Sequence, residues 1–312
     1  MESLLSFLTQ FLTNITWIGA LELGLIYALV ALGVLISYKI LDFPDLTADG
    51  SFPLGGGVCV LCILHNVDPW LATLCGMGAG AVAGTITASL HIGFKIEKLL
   101  ASILMMIALY SINLRIMGKP NVSLLGDPTV YDSLTASDDL QLAIVRLLIV
   151  ILVVVIAKLL FDLFFATQTG LAIRATGTNA RMAKAQGIAV NKMTLLGMAI
   201  SNGLIALAGA LYVQSNGGFD ISIGVGTIVI GLAAVIIGEA IFAAKRIVWL
   251  TLAVIIGSIL YRFFIALALN NETLNGIGVG PQDLNLITAL LVVAVLVLPK
   301  FKHKFAPKRG QK

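Results

Sequence analysis

Three aspartates recur within eight residues of "KILDFPDLTADGSFPLGGG" (residues 39–57): Asp42, Asp45 and Asp49, with the hydroxyls of Thr47 and Ser51 beside them. Carboxylates flanked by neutral hydrogen-bonding groups suit the ammonium of a small solute such as an amino acid. The same residue types also serve structure. Asp49 and Ser51 can cap a helix, while Asp42 and Asp45 can shape a turn near Lys39. Pro44 and Pro53 interrupt helical hydrogen bonding, and Gly50 with Gly55, Gly56 and Gly57 loosens the chain. Backbone groups freed in this way must face protein or water, because lipid cannot satisfy them. The apolar run from Phe52 to Leu64 is too short to cross a bilayer, which takes about 20 helical residues. It reads as a half-helix starting within the membrane thickness, a device that forms substrate sites in transporters.

Three further ionisable residues interrupt long apolar runs: Glu22, Glu239 and Arg262. Charges at membrane depth need partners or water. Glu239 and Arg262 both lie toward helix ends, where an ion pair between neighbouring helices accounts for them. Glu22 faces either the bundle or a water-filled path.

Other chemistries lack their residues. No G-x-x-x-x-G-K-[ST] occurs, so the chain has no phosphate-binding loop for ATP hydrolysis. His65, His91 and His303 stand far apart, without a second ligand at helical spacing. Cys59 and Cys62 form C-x-x-C, but they and Cys75 fall in apolar runs and read as structural thiols. No serine or cysteine sits in a nucleophile-elbow context. No metal, cofactor or catalytic residue is expected in this chain.

These residues must be positioned by membrane helices. Of 312 residues, 59% are hydrophobic and 12% charged, and the mean hydropathy is +1.02. That composition excludes an ordinary soluble domain. Long unbroken runs rich in Leu, Ile, Ala and Gly exclude the alternating pattern of a membrane β-barrel. Eight runs approach spanning length: Ile15–Tyr38, Trp70–His91, Leu99–Ile116, Leu140–Phe165, Met193–Val213, Ile221–Ala244, Ile247–Leu269 and Leu286–Leu298. The fold class is an all-α polytopic membrane protein of about eight transmembrane helices plus the discontinuous half-helix. Residues 1–14 read as an amphipathic interfacial segment, 15–299 as the membrane domain and 300–312 as a basic tail. Gly76, Gly80 and Gly84, four residues apart, offer a small-residue face for close helix packing, and Gly224, Gly231 and Gly238 suggest another.

Basic residues orient the chain. With the tail cytoplasmic, the loops on that side carry fourteen Lys and Arg, among them Lys95, Lys98, Arg174, Lys192, Lys245 and Arg246. The opposite loops carry one, Lys119, alongside Asp127, Asp132, Asp138 and Asp139. The positive-inside rule therefore puts the C-terminus in the cytoplasm, and the aspartate-rich stretch begins on that side too. No basic cluster interleaves with aromatics, so nucleic acid is not an expected partner.

The connection 166–192, "ATQTGLAIRATGTNARMAKAQGIAVNK", is the longest on the cytoplasmic side. Thr178 or Asn179 can cap a helix there, "ARMAKAQ" favours helix, and Gly187 is a natural left-handed terminator. The spacing predicts about two turns, whose Arg181 and Lys184 either meet water and anionic lipid headgroups or dock a cytoplasmic partner.

"IRATGTNARMAKAQGIAVNKMTLLGMAISNGLIALAGAL" resembles the coupling segment of ABC importer permeases of the branched-chain amino acid and ribose type. "LDFPDLTADGSFPLGG", "ALYSINLRIMGKPNVSLLG", "GTIVIGLAAVIIGEAIF" and "GSILYRFFIALAL" extend the resemblance to a subfamily paired with lipoprotein or periplasmic solute-binding proteins. Amino acids, aromatic ones and tryptophan especially, are the solutes expected there. The resemblance implies a homodimeric permease in the bacterial inner membrane, two cytoplasmic ATPase subunits that bind the ATP and Mg, and an external binding protein. It assigns coupling to Asn179, Ala180, Arg181, Met182, Ala183, Lys184, Ala185, Gln186 and Gly187. The candidate substrate path comprises Glu22, Asp42, Asp45, Thr47, Asp49 and Ser51. A rival is a stand-alone secondary transporter or channel whose buried acids carry protons or cations. A structural scaffold would leave the helix breaks and buried acids without a purpose.

Overall fold

The computed structural model describes residues 15–133, 139–242 and 246–269, together with helical positions at Leu286, Ala289, Leu290 and Val293. The interfacial segment 1–14, most of the run Leu286–Leu298 and the basic tail lie outside the described residues.

Ten α-helices are described in chain order: α1 Ile15–Val34, α2 Ala48–Leu64, α3 Pro69–Phe94, α4 Lys98–Met117, α5 Asp139–Ala166, α6 Gln168–Thr178, α7 Ala180–Ala185, α8 Val190–Asn216, α9 Thr227–Ile241 and α10 Ile247–Leu269. Among the described residues seven stretches are long and apolar enough to cross a membrane, and α2 is a shorter apolar helix beside them. The chain is an all-α polytopic membrane protein. One small sheet interrupts it: β1 (Asn121–Ser123) pairs antiparallel with β2 (Gly218–Asp220), Val122 facing Phe219. The pair ties the ends of α4 and α8 together at the end of the bundle opposite α7.

α2 and α8 form the centre, because both carry small residues where a side chain would collide with backbone. A Cβ on Gly55 would stand 2.0 Å from the Ala206 carbonyl oxygen, and one on Gly209 would stand 1.9 Å from that of Phe52. Two helices can come this close only where glycine faces the partner's carbonyls. Gly76, Gly80 and Gly84 of α3 do the same against Gly55, Ala206, Asn202 and Met198. Packing around this seam buries Tyr27, Phe52, Ile205, Leu211 and Phe219. In contrast, α3, α4 and α5 expose Leu, Ile and Val along their outer faces, as a surface in lipid does.

Several sequence expectations change in detail. The half-helix starts at Ala48 rather than Phe52, and Pro53 lies inside it. As its sixth residue, Pro53 removes the hydrogen bond that an amide there would give the Asp49 carbonyl. The run Ile221–Ala244 is not one helix: Ile221–Gly224 is a 3-10 turn, and Gly226 at φ +86° precedes α9. Gly224, Gly231 and Gly238 consequently meet three different neighbours, Asp49 and Pro53, Val34, and Ala253, instead of one face. The connection 166–192 holds an additional helix, α6, capped by Thr167. The end of the first span winds wider, as a π-helical turn over Leu35–Ile40.

Candidate functional site

The aspartate-rich stretch runs from the π-helical turn into α2. Asp42 takes a left-handed conformation (φ +50°), is exposed, and its carbonyl accepts from Lys98 Nζ at 2.8 Å. It shapes a turn at the bundle's end, and a short polar side chain suits the left-handed turn that leads the chain back inward.

Asp45 is 2% exposed. Its Oδ1 accepts from the Thr47 backbone N–H at 3.0 Å, and its Oδ2 accepts from Asn202 Nδ2 at 2.7 Å. Asn202 in turn accepts from Ser51 Oγ at 2.7 Å and gives its second amide proton to the Met198 carbonyl at 3.2 Å. Thr47 Oγ1 and Thr87 Oγ1 lie 3.0 Å apart and share a hydrogen bond, and Thr87 Oγ1 also reaches the Ala83 carbonyl. Asp45, Thr47 and Ser51 are thus joined through Asn202 on α8 and Thr87 on α3. The network is closed, because each amide and hydroxyl named bonds to the protein itself. A solute reaches these groups only if α2, α3 and α8 separate.

Asp49 is half-buried and caps a helix, but not its own. Its Oδ2 accepts from Gly226 N at 3.1 Å and its Oδ1 from Ile228 N at 2.8 Å. Both amides belong to the opening of α9, whose dipole also favours a carboxylate. The N-cap of α2 is Thr47, with no side-chain bond, so neither Asp49 nor Ser51 caps the half-helix. Nearby, Asn113 of α4 donates to the Gly50 carbonyl at 3.1 Å. α2 is therefore held sideways by α3, α4, α8 and α9.

Glu22 stands apart from this group, toward the opposite end of the bundle. It accepts a hydrogen bond from Ser215 Oγ, and Arg146 Nη1 donates to the Ser215 carbonyl at 3.4 Å. Glu22 thus faces the bundle. The expected ion pair between Glu239 and Arg262 is not formed: Glu239 pairs with Lys39 at 3.0 Å, while Arg262 lies over the Tyr27 ring with its Cζ 4.3 Å from the centroid. The π-helical turn brings Lys39 within reach of α9. Cys59 is buried and accepts from Gln214 Nε2 at 3.2 Å, Cys62 is half-buried and Cys75 is exposed.

At the other end of the molecule, Asn179 caps α7 by accepting from Met182 N at 3.0 Å, and Gly187 follows at φ +80°. Arg181 and Lys184 are exposed. A shallow cleft of about 450 Å³ beside α7 is lined by Ala180, Arg181, Lys184, Ile188, Ala189, Val190, Asn191 and Lys192. Gly177, just before the cap, presses on the π-helical turn so closely that a Cβ would stand 1.8 Å from the Ile40 carbonyl oxygen.

Sequence reasoning missed Asn202, Thr87, Asn113 and Lys98 as partners of the aspartates. Asn202 was legible in principle, as a lone amide in the middle of an apolar helix, where an unpaired polar group is costly. Its target was not.

A family model described as "Branched-chain amino acid transport system / permease component" matches residues 17–298. The chain belongs to this permease family. A tyrosine transport system permease protein of Clostridioides difficile is 40% identical over 302 residues, which cover 95% of this chain and 97% of that protein. A probable branched-chain amino acid transport permease protein, LivH, of Methanocaldococcus jannaschii is 28% identical over 62% of this chain and 64% of its own length. A nucleoside ABC transporter permease protein, NupC, of Lactococcus lactis is 32% identical over half of this chain and 47% of its own length. No solved structure matches. As a member of the family, this permease is a multi-pass, non-catalytic membrane component of an ABC-type transport system, in which ATP hydrolysis belongs to a separate subunit.

Proposed function

We propose that this permease imports an aromatic amino acid, of the tyrosine and tryptophan class, through the bacterial inner membrane. The observation that carries the reading is the 40% identity, over nearly the whole of both chains, to a permease named for tyrosine transport. Two copies of the permease form the translocation unit, an external binding protein delivers the solute, and two ATPase subunits bind ATP and Mg on the cytoplasmic side. The permease itself takes no cofactor. Sidedness rests on the basic residues: the α7 end, with Lys95, Lys98, Arg181, Lys184 and Lys192, is cytoplasmic, as is the C-terminus.

Residues Asn179–Gly187 couple the permease to the ATPase. A capped, solvent-facing helix with two exposed cations and an adjoining cleft supports that role. Closure of the ATPases on ATP moves α7, and the close contact of Gly177 with Ile40 passes that shift to the turn carrying Asp42 and Asp45. The closed network of Asp45, Thr47, Ser51, Asn202 and Thr87 is then the latch that must open, rather than a solute site already formed.

The test is ATP-driven uptake of labelled tyrosine and tryptophan by the assembled importer in proteoliposomes, with R181E/K184E beside the wild type. Uptake by the wild type, with ATP hydrolysis uncoupled from uptake in the variant, is the expected result. No uptake of either amino acid refutes the solute class, and full coupling in the variant refutes the placement of the coupling helix.

A further inference from the structure

Among the described residues, Arg262 meets no carboxylate. It lies 15 residues into α10 from Ile247 and seven from Leu269, about 10 Å from that end at ~1.5 Å per residue, and thus at membrane depth. The other basic residues of the spanning helices with described partners are accounted for. Lys39 pairs with Glu239, Lys158 with Asp162, and Arg146 donates to the Ser215 carbonyl beside Glu22. Among the described residues Arg262 has neither a carboxylate nor a carbonyl, and its Nε is buried without an acceptor.

What Arg262 does have is aromatic. Its guanidinium covers the face of Tyr27, which stacks on Phe52 at 5.7 Å and meets Tyr212 edge-on at 6.2 Å. Phe52 and Tyr212 are 5.6 Å apart, so the three rings form one cluster joining α1, α2 and α8. α10 is pressed against this side: a Cβ on Gly24 would stand 3.1 Å from Ile259 Cα and 3.5 Å from Arg262 Cβ. The rings hold the guanidinium plane in place by cation–π attraction. They offer no carboxylate, and Nε has no acceptor, which leaves the guanidinium able to take an oxyanion.

We propose that Arg262, seated on Tyr27, receives the carboxylate of the amino-acid solute as it passes from the binding protein into the permease. This deepens the importer reading above and rests on it. A tyrosine-class solute carries one carboxylate as its only anionic group, and a fixed guanidinium beside aromatic rings matches both its charge and its ring. Arg262 stands at the outer third of the bundle, where a solute arriving from outside first meets the membrane. It also sits one helix away from Phe52, the residue whose carbonyl touches Gly209 at the α2–α8 seam. A solute held there reaches the latch from the outer side.

A phosphate of an outer lipid headgroup offers oxyanion chemistry as well, and the experiment separates the two sources. The full importer is reconstituted in proteoliposomes of neutral lipid and of lipid containing phosphatidylglycerol, and initial uptake of labelled tyrosine is measured for wild type, R262K and R262Q. Wild-type uptake decides the importer reading independently of this proposal. Given that uptake, R262Q is expected to lose roughly 10- to 100-fold in both lipids, the scale of a charge-assisted hydrogen bond, while R262K, which keeps the charge but not the planar fork, falls between R262Q and wild type. Thermal unfolding of the two variants is expected to coincide with that of the wild type within a few degrees. The proposal is overturned if R262Q transports within twofold of wild type. It is overturned equally if the loss appears only in the anionic lipid, or if R262K and R262Q lose uptake and thermal stability together, as a packing role requires.

Discussion

Asp49→Ala separates a cap from a solute ligand. In the folded permease the Asp49 carboxylate accepts from Gly226 N at 3.1 Å and Ile228 N at 2.8 Å. Each such bond to a charged acceptor is worth about 1.5–3 kcal/mol, and the α9 dipole adds about 0.3–1 kcal/mol. Water reaching the freed amides offsets part of this, since Asp49 is half-buried. The net destabilisation is expected at about 2–4 kcal/mol, within the range of lost caps and buried hydrogen bonds. Hydrogen exchange in lipid nanodiscs, read by mass spectrometry on peptides spanning 221–232, is the assay. Exchange there should rise by roughly 30-fold or more, at about 1.4 kcal/mol per factor of ten, while peptides of α5 keep their protection. Asp49→Asn, which keeps one acceptor oxygen, should fall between wild type and Asp49→Ala. Unchanged protection in 221–232 together with abolished uptake would refute the cap and make Asp49 a solute ligand.

Asn202→Ala removes the donor to Asp45 and the acceptor for Ser51, and is expected to cost about 1.5–3 kcal/mol in denaturant unfolding, while an Asp45→Asn variant with unchanged tyrosine uptake would reduce the network to a structural turn. Gly177→Ala drives a methyl into the Ile40 carbonyl and is expected to cost about 1–3 kcal/mol; it should also lower uptake per ATP hydrolysed, measured as a coupling ratio. The Asp220 carboxyl, outside the spanning helices, is held below its ordinary 3.8 by hydrogen bonds from the Ser222 hydroxyl and backbone N–H. Because its folded value is depressed, the stability it gives the 3-10 turn is present above 3.8 and is lost as pH falls through the folded value; Asp220→Asn should abolish that acid-dependent rise in exchange around 218–224.

The sequence by itself determined the class and the frame of this protein. Long apolar runs demanded membrane helices because a bilayer admits no other use for them. Asn179 and Gly187 bounded α7 because capping and left-handed termination are local properties of a few residues. Even the broken character of the aspartate-rich stretch was local, written in its prolines and glycines. Partners were not local. Asp49 caps α9, 177 residues downstream, and Asp45 binds Asn202 from the neighbouring α8. Glu239 chose Lys39 over Arg262 because a wider turn at Leu35–Ile40 carried the lysine to it. A residue's type states which bonds it needs, but only the packing of helices far apart in the chain decides which group satisfies them. For Arg262, the packing supplied rings and, among the described residues, no carboxylate.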